Sequence, residues 1–217
     1  MRSFLVTDQV RNYAVEHGSW QPTDVVEWLR AETAALGDAA GMQIGDDQGQ
    51  LLTLLTRLVG ARRAVEVGTF TGYSSLCIAR GLPDDGSLLC CDVSEEWTAI
   101  ARQAWERAGL SDRIELKIAP AVETLRALPD EADIDLVFID ADKPGYSAYW
   151  DELVPRVRPG GLLLADNVLW SGNIVDDAEQ NANAVALRDF NDLVARDDRV
   201  EVVVLTAFDG LTIARKR

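Results

Sequence analysis

The sequence is short of the residues that build disulfide frameworks and zinc centres. Its 217 residues include three cysteines, Cys77, Cys90 and Cys91, and a single histidine, His17. An odd number of cysteines without spaced pairs argues against both kinds of site, so we expect buried thiols in a reducing cytoplasm. His17 sits beside Gly18 in a predicted loop, which disfavours a catalytic role.

Long apolar runs and positive charge are also scarce. No apolar segment approaches the roughly 20 residues that cross a bilayer as a helix, and we expect no cleavable leader at the N-terminus. Lysine and arginine total 21 against 36 aspartates and glutamates, which gives a formal net charge of −15. This balance disfavours nucleic acid and anionic membranes as partners, although it is equally compatible with simple solubility.

What remains is the composition of an ordinary globular protein, with 47% hydrophobic and 26% charged residues. A chain of this length can form one α/β domain with a sizeable core, and no repeat, low-complexity tract or linker divides it. We therefore predict a single domain over residues 1–217. Residues 1–40 are predicted to be mostly helical. Because they lack a core pattern of their own, they should pack over the main domain or onto a second subunit.

Strand-like and helix-like patterns alternate through the rest of the chain, which is typical of a parallel sheet covered by helices on both faces. The predicted strands are residues 63–68, 87–92, 113–117, 134–140, 161–166, 200–206 and 211–216. The clearest predicted helices are residues 24–36, 46–59, 94–108 and 182–195. Asp209–Gly210 predicts a tight turn and hence a C-terminal antiparallel hairpin. Trp97 and Trp105 lie on an apolar helical stripe and are interpreted as core residues.

The most informative turn joins a short apolar run, Ala64–Val67, to a predicted helix that begins at Tyr73. Two glycines, Gly68 and Gly72, stand between them, so a ligand could approach the backbone and the free N–H groups of the helix terminus. Nucleotide-like ligands bind to such turns. An ordinary β–α turn, with glycines for close packing, is the alternative interpretation.

Two carboxylates near this turn narrow the class of ligand. The Gly-x-x-x-Gly spacing differs from the Gly-x-Gly-x-x-Gly that holds a dinucleotide pyrophosphate, and Glu66 would repel a phosphate here. Asp92 ends the next predicted strand, where a carboxylate can bind ribose hydroxyls. Together, Glu66 and Asp92 favour S-adenosylmethionine, which carries positive charge and no phosphate.

Oxygen-bearing side chains follow the fourth and fifth predicted strands. Asp140 ends the fourth strand, and Asp166 and Asn167 end the fifth. Ligands of open α/β sheets bind beyond the carboxyl ends of the strands, so these side chains should meet at one edge. Two carboxylates and an amide oxygen suit Mg²⁺, Mn²⁺ or Ca²⁺, of which Mg²⁺ is our prediction. No histidine or cysteine accompanies them, which disfavours zinc.

The same residues have simpler interpretations. Asp140 could cap the following helix, and Asp166–Asn167 could form a turn. Lys143 follows Asp140 by three residues and could be an ordinary surface lysine. Held near a metal and partly desolvated, it could instead act as a general base.

These segments carry a resemblance to a known family. VEVGTFTGYS at residues 65–74, FIDADK at 138–143 and DNVLWSG at 166–172 resemble the cation-dependent O-methyltransferases, which include the caffeoyl-CoA O-methyltransferases and their bacterial relatives. GMQI at 41–44 and the ending DGLTIARK at 209–216 also match. The resemblance runs from about residue 40 to the end, and its core is similar to that of catechol O-methyltransferase. It implies a Rossmann-like class I methyltransferase fold, with a mostly parallel seven-stranded sheet.

The resemblance also implies roles for individual residues. The family's S-adenosylmethionine contacts match Ile44, Glu66, Gly68, Thr69, Gly72, Ser74, Asp92, Ala121 and Asp140. Its metal ligands match Asp140, Asp166 and Asn167. Its catalytic residues match Lys143 and Asp140, and its substrate contacts match Lys143, Asn167, Trp170 and Ser171.

The chain departs from the family pattern at several positions. Gly45 replaces a commoner serine or threonine, Ala119 replaces a glycine, and Ser171 stands where plant enzymes often carry asparagine. These are small residues, so we expect tuning rather than loss of cofactor binding. Residues 1–40 match only weakly. In this family that region helps to build the acceptor pocket and the dimer contact, so the acceptor is not defined by the sequence.

The predicted activity is methylation of one hydroxyl of a catechol-type small molecule by a cytoplasmic homodimer that uses S-adenosylmethionine and a divalent cation. The cation would lower the pKa of one hydroxyl, Lys143 would take or steer its proton, and the phenolate would attack the methyl group in line. The rivals are a metal-independent methyltransferase, a non-catalytic binding protein with this fold, and a nicotinamide dehydrogenase. The missing third glycine and Glu66 disfavour the last of these.

Overall fold

The computed structural model describes residues 6–18, 23–176 and 178–217. Its strands are β1 (Arg63–Val67), β2 (Ser87–Asp92), β3 (Ile114–Ile118), β4 (Ile134–Ile139), β5 (Val157–Ala165), β6 (Val200–Leu205) and β7 (Leu211–Lys216). Its helices are α1 (Asp8–Glu16), α2 (Asp24–Ala34), α3 (Asp46–Leu58), α4 (Tyr73–Gly81), α5 (Glu95–Arg107), α6 (Ala121–Arg126), α7 (Tyr146–Leu153) and α8 (Ala182–Arg196). Short 3₁₀ turns connect several of them.

The strands form one seven-stranded sheet in the order β3-β2-β1-β4-β5-β7-β6. The first five strands in that order pair in parallel, and β7 pairs antiparallel with both β5 and β6. From β1 the strand order runs outward in one direction to β2 and β3 and in the other to β4 and β5. This change of direction in the strand order opens a crevice beyond the carboxyl ends of β1 and β4. The predicted fold class is therefore confirmed, including the C-terminal hairpin.

The sheet is covered by apolar side chains on both faces. One cluster joins α2, α3, α4 and α5 to one face, and the other joins α6, α7 and α8 to the opposite face. All six residues of β4 are buried, as expected for a central strand of a parallel sheet. The free thiols of Cys77, Cys90 and Cys91 are buried in this core, as predicted.

Local signals set several helix ends. Ser94 caps α5, and its side chain accepts a hydrogen bond from the Trp97 N–H at 3.1 Å. The sequence patterns did not predict α6 and α7, because both are short and carry few periodic positions. They also missed the start of β5 at Val157, since Pro159 and Gly160 conceal its first half.

The N-terminal region is helical where it is described, and residues 1–5 and 19–22 of the predicted helical segment lie outside the described residues. Helix α2 packs into the core through Val26 and Leu29, whereas α1 buries no side chain. His17 is the C-cap of α1, its Nδ1 lies 2.8 Å from the Tyr13 carbonyl oxygen, and it is not among the described residues of the main cavity lining. No helix in the described ranges is long and apolar enough to cross a membrane.

Candidate functional site

A cavity of about 840 Å³ lies beyond the carboxyl ends of β1, β2, β4 and β5. The predicted site residues that line it are Ile44, Gly68, Thr69, Ser74, Asp92, Ala121, Asp140, Lys143, Asn167 and Trp170. Glu66, Gly72, Asp166 and Ser171 are not among the described residues that line it. Most of the predicted site residues therefore converge on one cavity, and the other four lie outside its lining.

The glycine turn allows two strand ends to approach closely. Gly68 has φ +92°, and a Cβ there would lie 1.9 Å from the Asp140 carbonyl oxygen. The Asp140 N–H donates to the Val67 carbonyl at 2.8 Å, which ties the ends of β1 and β4 together. Only glycine satisfies both the positive φ and the absence of a side chain at this contact.

Gly72 has a packing role in the same turn. Its φ is +88°, and a Cβ there would lie 2.6 Å from the Ala101 Cβ. The residue therefore lets the start of α4 lie against α5. Gly72 is not among the described residues that line the main cavity, and the cofactor contact expected there stays a prediction.

Asp92 braces the turn through backbone hydrogen bonds. Its Oδ2 accepts the N–H groups of Thr69 at 2.9 Å and Phe70 at 2.8 Å. Its Oδ1 accepts the Ser94 N–H at 2.8 Å. A carboxylate offers about four acceptor positions, so capacity remains for a hydroxyl donor from a ligand in the cavity.

Glu66 lies beneath the turn and is fully buried. Burial raises the pKa of its carboxyl to about 8, and the nearby polar groups, among them the Cys90 thiol that donates to Glu66 Oε2 at 3.4 Å, only partly oppose this effect. The raised pKa favours the protonated carboxyl and so reduces the negative charge that was expected to repel a phosphate at this turn.

Lys143 lies at the centre of a polar cluster on the other side of the cavity. Its Nζ donates to Asp140 Oδ1 at 3.1 Å, to Asn167 Oδ1 at 2.7 Å and to the Tyr146 hydroxyl at 2.8 Å. Only 8% of Lys143 is exposed, so the surface-lysine interpretation is wrong. Tyr146 in turn donates to the Asp166 carbonyl at 2.9 Å.

Asp166 completes this cluster from behind the cavity wall. It is 2% exposed, and burial followed by repulsion from Asp140 raises the pKa of its carboxyl. Gln48 is buried beside Asp166 and lowers the pKa of its carboxyl. The Gln48 Nε2 nevertheless makes no hydrogen bond of normal geometry. The Asn167 N–H donates to Asp166 Oδ1 at 2.8 Å, and Lys143 joins Asp140 to Asn167, so two carboxylates and one amide lie in the same region.

The described residues contain no group of three or more histidine, cysteine, aspartate or glutamate side chains arranged as a metal site. The predicted ligand set has two carboxylates and an amide, and it does not depend on such a group. The Lys143 ammonium contacts the side-chain oxygens of two of these three residues, Asp140 and Asn167.

The loop after β5 forms the outer wall beside this cluster. Asn167, Trp170 and Ser171 have φ values of +56°, +45° and +54°, which are uncommon for residues other than glycine. Trp170 lines the cavity, whereas Ser171 is exposed and its N–H donates to the Asp209 carboxylate. The structure thus separates two residues that were both expected to contact substrate.

Several cavity residues were missed by sequence reasoning. Trp97, interpreted as core, lines the cavity and stands edge-on to Phe70 with ring centroids 5.2 Å apart. Other unpredicted lining residues are Met42, Asp142, Tyr149, Asn183 and Asp209. Tyr146 was missed because an aromatic residue on a short helix has the pattern of a core residue, and its hydroxyl becomes informative only beside Lys143.

Comparison with known proteins agrees with this arrangement. A family model described as O-methyltransferase matches residues 16–217. Caffeoyl-CoA O-methyltransferase 2 from Zea mays is 38% identical over 227 aligned residues, covering 99% of this chain and 85% of the relative.

Two solved structures connect the fold to its cofactor. The O-methyltransferase TomG from Streptomyces achromogenes, in complex with S-adenosylmethionine, superposes with a TM-score of 0.88 at 29% identity, covering 97% of this chain and 99% of TomG. The O-methyltransferase from Bacillus cereus, in complex with S-adenosylhomocysteine, gives 0.84 at 31% identity, covering 96% and 97%. The chain therefore belongs to the O-methyltransferase family and is an S-adenosylmethionine-dependent O-methyltransferase.

Proposed function

We propose that this enzyme methylates one hydroxyl of a catechol-type small molecule and that a divalent cation is required. The observation that carries the proposal is the convergence of Asp140, Asn167 and Asp166 around the buried Lys143 ammonium. The name of the maize relative supports it, because a caffeoyl group carries two adjacent hydroxyls on an aromatic ring.

The donor set suits a hard cation. Asp140, Asp166 and Asn167 supply carboxylate and amide oxygens, which Mg²⁺ and Mn²⁺ prefer. The Lys143 ammonium lies against two of these oxygens, which indicates that the region stabilises positive charge. When bound by these residues, the cation would supply Lewis acidity toward a hydroxyl of the acceptor.

Lys143 would act as the general base that removes the proton of the acceptor hydroxyl. In its neutral form it accepts the proton of the acceptor hydroxyl and becomes an ammonium, which Asp140, Asn167 and Tyr146 stabilise as hydrogen-bond acceptors. The phenolate oxygen then forms a bond to the methyl carbon while the carbon–sulfur bond of S-adenosylmethionine breaks. The sulfur keeps the electron pair, and S-adenosylhomocysteine is released.

The cofactor would lie on the glycine-turn side of the cavity. We propose that Asp92 accepts hydrogen bonds from the ribose hydroxyls, since its acceptor capacity is not exhausted by the backbone. Ile44, Gly68, Thr69, Ser74, Ala121 and Asp140 line the same cavity and would complete the contacts. Fixing the methyl group and the acceptor oxygen in line is the main contribution of such a site.

Paired variants test the metal and the base separately. Asp166→Asn should lose both Mn²⁺ binding by calorimetry and turnover, while S-adenosylmethionine still binds. Lys143→Met should keep Mn²⁺ and S-adenosylmethionine binding and lose turnover by about a hundredfold or more, because its role is in proton transfer. Full activity of the wild-type enzyme in EDTA would contradict the metal requirement.

One observation favours a second candidate, a metal-independent methyltransferase with the same cofactor site. The Lys143 ammonium already pairs with Asp140 and Asn167, so these oxygens have a cationic partner without a metal. In that case Asp166→Asn would change protein stability but not the response to EDTA. The chelation experiment therefore separates the two candidates.

We also propose that the chain is a single cytoplasmic domain that forms a homodimer, with residues 1–40 shaping the acceptor side. Helix α1 borders a smaller cavity of about 380 Å³ that shares Gln43 and Ile44 with the main one. Exposed apolar residues on α1 and on edge strand β6 could be covered by a second subunit. Light scattering at micromolar concentration tests the dimer, and a monomeric mass would contradict it.

A further inference from the structure

The chain between β5 and α8 forms part of the outer wall of the main cavity, and little of it is held by burial. We call its described residues, 170–176 and 178–180, the wall segment. Trp170 lines the cavity. Beyond Trp170, only Ile174 among these described residues packs an apolar side chain against the core, and Val175 is 82% exposed. Hydrophobic contacts alone therefore fix only part of the wall segment.

The wall segment contains two successive turns. The Asn173 carbonyl accepts the Asp176 N–H at 3.2 Å, and the Asp176 carbonyl accepts the Glu179 N–H at 3.0 Å. Each of these hydrogen bonds joins residues that are three positions apart. They shape the segment locally but do not attach it to the rest of the domain.

Arg188, on α8, makes that attachment. Its Nε donates to the Ile174 carbonyl at 2.9 Å, and its Nη2 donates to the carbonyls of Asp176 at 2.6 Å and Glu179 at 2.8 Å. A guanidinium carries five donors in a rigid plane, so it can bind several carbonyls at once in a defined geometry. One half-buried side chain thus ties both turns of the wall segment to α8.

A second side chain of α8 holds the chain just before the wall segment. The Asn191 Nδ2 donates to the Val168 carbonyl at 2.8 Å. Trp170 lies between this contact and the first carbonyl that Arg188 binds, at Ile174. Its φ of +45° is uncommon for a residue other than glycine, so this backbone has to be held by its surroundings. Helix α8 provides such contacts on both sides of Trp170.

We propose that Arg188 is a positioning residue for the acceptor, because its guanidinium holds the wall segment, and with it Trp170, in the conformation that binds the acceptor. This inference rests on the proposed function, in which the acceptor lies beside Trp170. Without the guanidinium, water can bind the exposed carbonyls, so the wall segment would sample other conformations while the domain stays folded. The apparent affinity for the acceptor then falls with the fraction of molecules in the binding conformation.

Arg188→Leu tests this role with caffeate as the methyl acceptor. We expect the KM for caffeate to rise about tenfold and kcat to change by less than about twofold. The affinity for S-adenosylmethionine should be unchanged by calorimetry, because its proposed contacts lie on the other side of the cavity. Amide hydrogen exchange of the wall segment, followed by mass spectrometry without any acceptor, should become faster. Faster exchange with an unchanged KM would overturn the positioning role, as would an unchanged exchange rate.

Two further variants separate the guanidinium geometry from charge and from general stability. Arg188→Lys keeps the charge but not the planar fork, so its exchange and KM should resemble those of Arg188→Leu. Full recovery by lysine would contradict the proposed geometry. Arg196→Leu removes an exposed guanidinium from the same helix, where it pairs with Asp192, and should change neither measurement. If Arg196→Leu shifts both as much as Arg188→Leu does, the proposal is wrong.

The exchange experiment also keeps this inference distinct from the proposed function. If the wild-type enzyme methylates no catechol, the proposed function fails. The exchange rates of Arg188→Leu and Arg196→Leu still decide whether Arg188 holds the wall segment, because they require no acceptor.

Discussion

The two sides of the cavity are built in different ways. On the side where we propose that the cofactor binds, the turn after β1 is fixed by main-chain contacts, because Asp92 accepts backbone N–H groups and Gly68 lies against the Asp140 carbonyl. On the acceptor side, side chains do this work. Lys143 donates hydrogen bonds to both Asp140 and Asn167. The loop after β5 has positive φ values at non-glycine residues.

This difference indicates which side of the cavity can accept substitutions with little loss of stability. A backbone-braced turn tolerates few substitutions, since each one alters the fold as well as the ligand contact. The opposite wall, where we propose that the acceptor binds, contains the exposed Asp142 and the partly exposed Asp209, whose replacement need not disturb the core. We therefore expect cofactor binding and stability to be coupled, and acceptor choice to be largely separate from both.

The largest effect is expected at Gly68, where the two sides meet. Gly68→Ala introduces a Cβ that would lie 1.9 Å from the Asp140 carbonyl oxygen, at a φ of +92°. Backbone atoms cannot move aside easily, so we expect a loss of about 4 kcal/mol or more in the free energy of unfolding, measured in urea.

Gly60→Ala is the matched control for this prediction. Gly60 also has a positive φ, +65°, but a Cβ there meets nothing within 4 Å. Its cost should be only about 1–2 kcal/mol, from the left-handed backbone alone. Similar losses in the two variants would show that close approach at Gly68 is not what makes the turn intolerant.

A medium effect is expected from Glu66 beneath the turn. Burial raises the pKa of its carboxyl from 4.5 to about 8, so the folded state keeps a proton that the unfolded chain releases above about pH 4.5. The free energy of unfolding should therefore fall as pH rises from about 4.5 to about 8 and then level off. The total change would be on the order of a few kcal/mol.

Glu66→Gln isolates this contribution from other groups that titrate. The difference in unfolding free energy between wild type and Glu66→Gln should decrease with rising pH over the same interval. Exposed Glu131→Gln serves as the control for loss of a carboxylate. A difference that stays flat with pH would mean that Glu66 is ionised in the folded protein.

The same contrast explains what the sequence could predict. The strands and the glycine turn follow from local patterns, such as the apolar run before Gly68. The start of α5 follows from the cap at Ser94. The placement of Asp140, Asp166 and Asn167 at one edge was predictable because the strand ends of a parallel sheet share that edge. These inferences need only the order of elements along the chain.

Other features depend on packing between distant segments. Tyr146 meets Lys143, and Gln48 lies beside Asp166, only after α3 and α7 have packed onto opposite faces of the sheet. The neutral state of Glu66 follows from complete burial, which periodicity does not reveal. Trp97 was misassigned because its stripe on α5 is apolar, whether the stripe faces the core or the cavity.

The smallest effect, and the most direct test of the comparison, is expected at Asp92. Asp92→Ala would remove all three backbone hydrogen bonds, so a loss of cofactor affinity could not be separated from a loss of stability. Asp92→Asn is the better variant, because it keeps one oxygen for the turn. We expect about tenfold weaker S-adenosylmethionine binding by calorimetry, equivalent to about 1.4 kcal/mol, with a small change in melting temperature and in the KM of the acceptor. Asp209→Asn should do the reverse, altering acceptor KM and leaving cofactor affinity unchanged. Unaltered cofactor affinity in Asp92→Asn would show that the carboxylate only braces the turn, and the assignment of the ribose to Asp92 would be wrong.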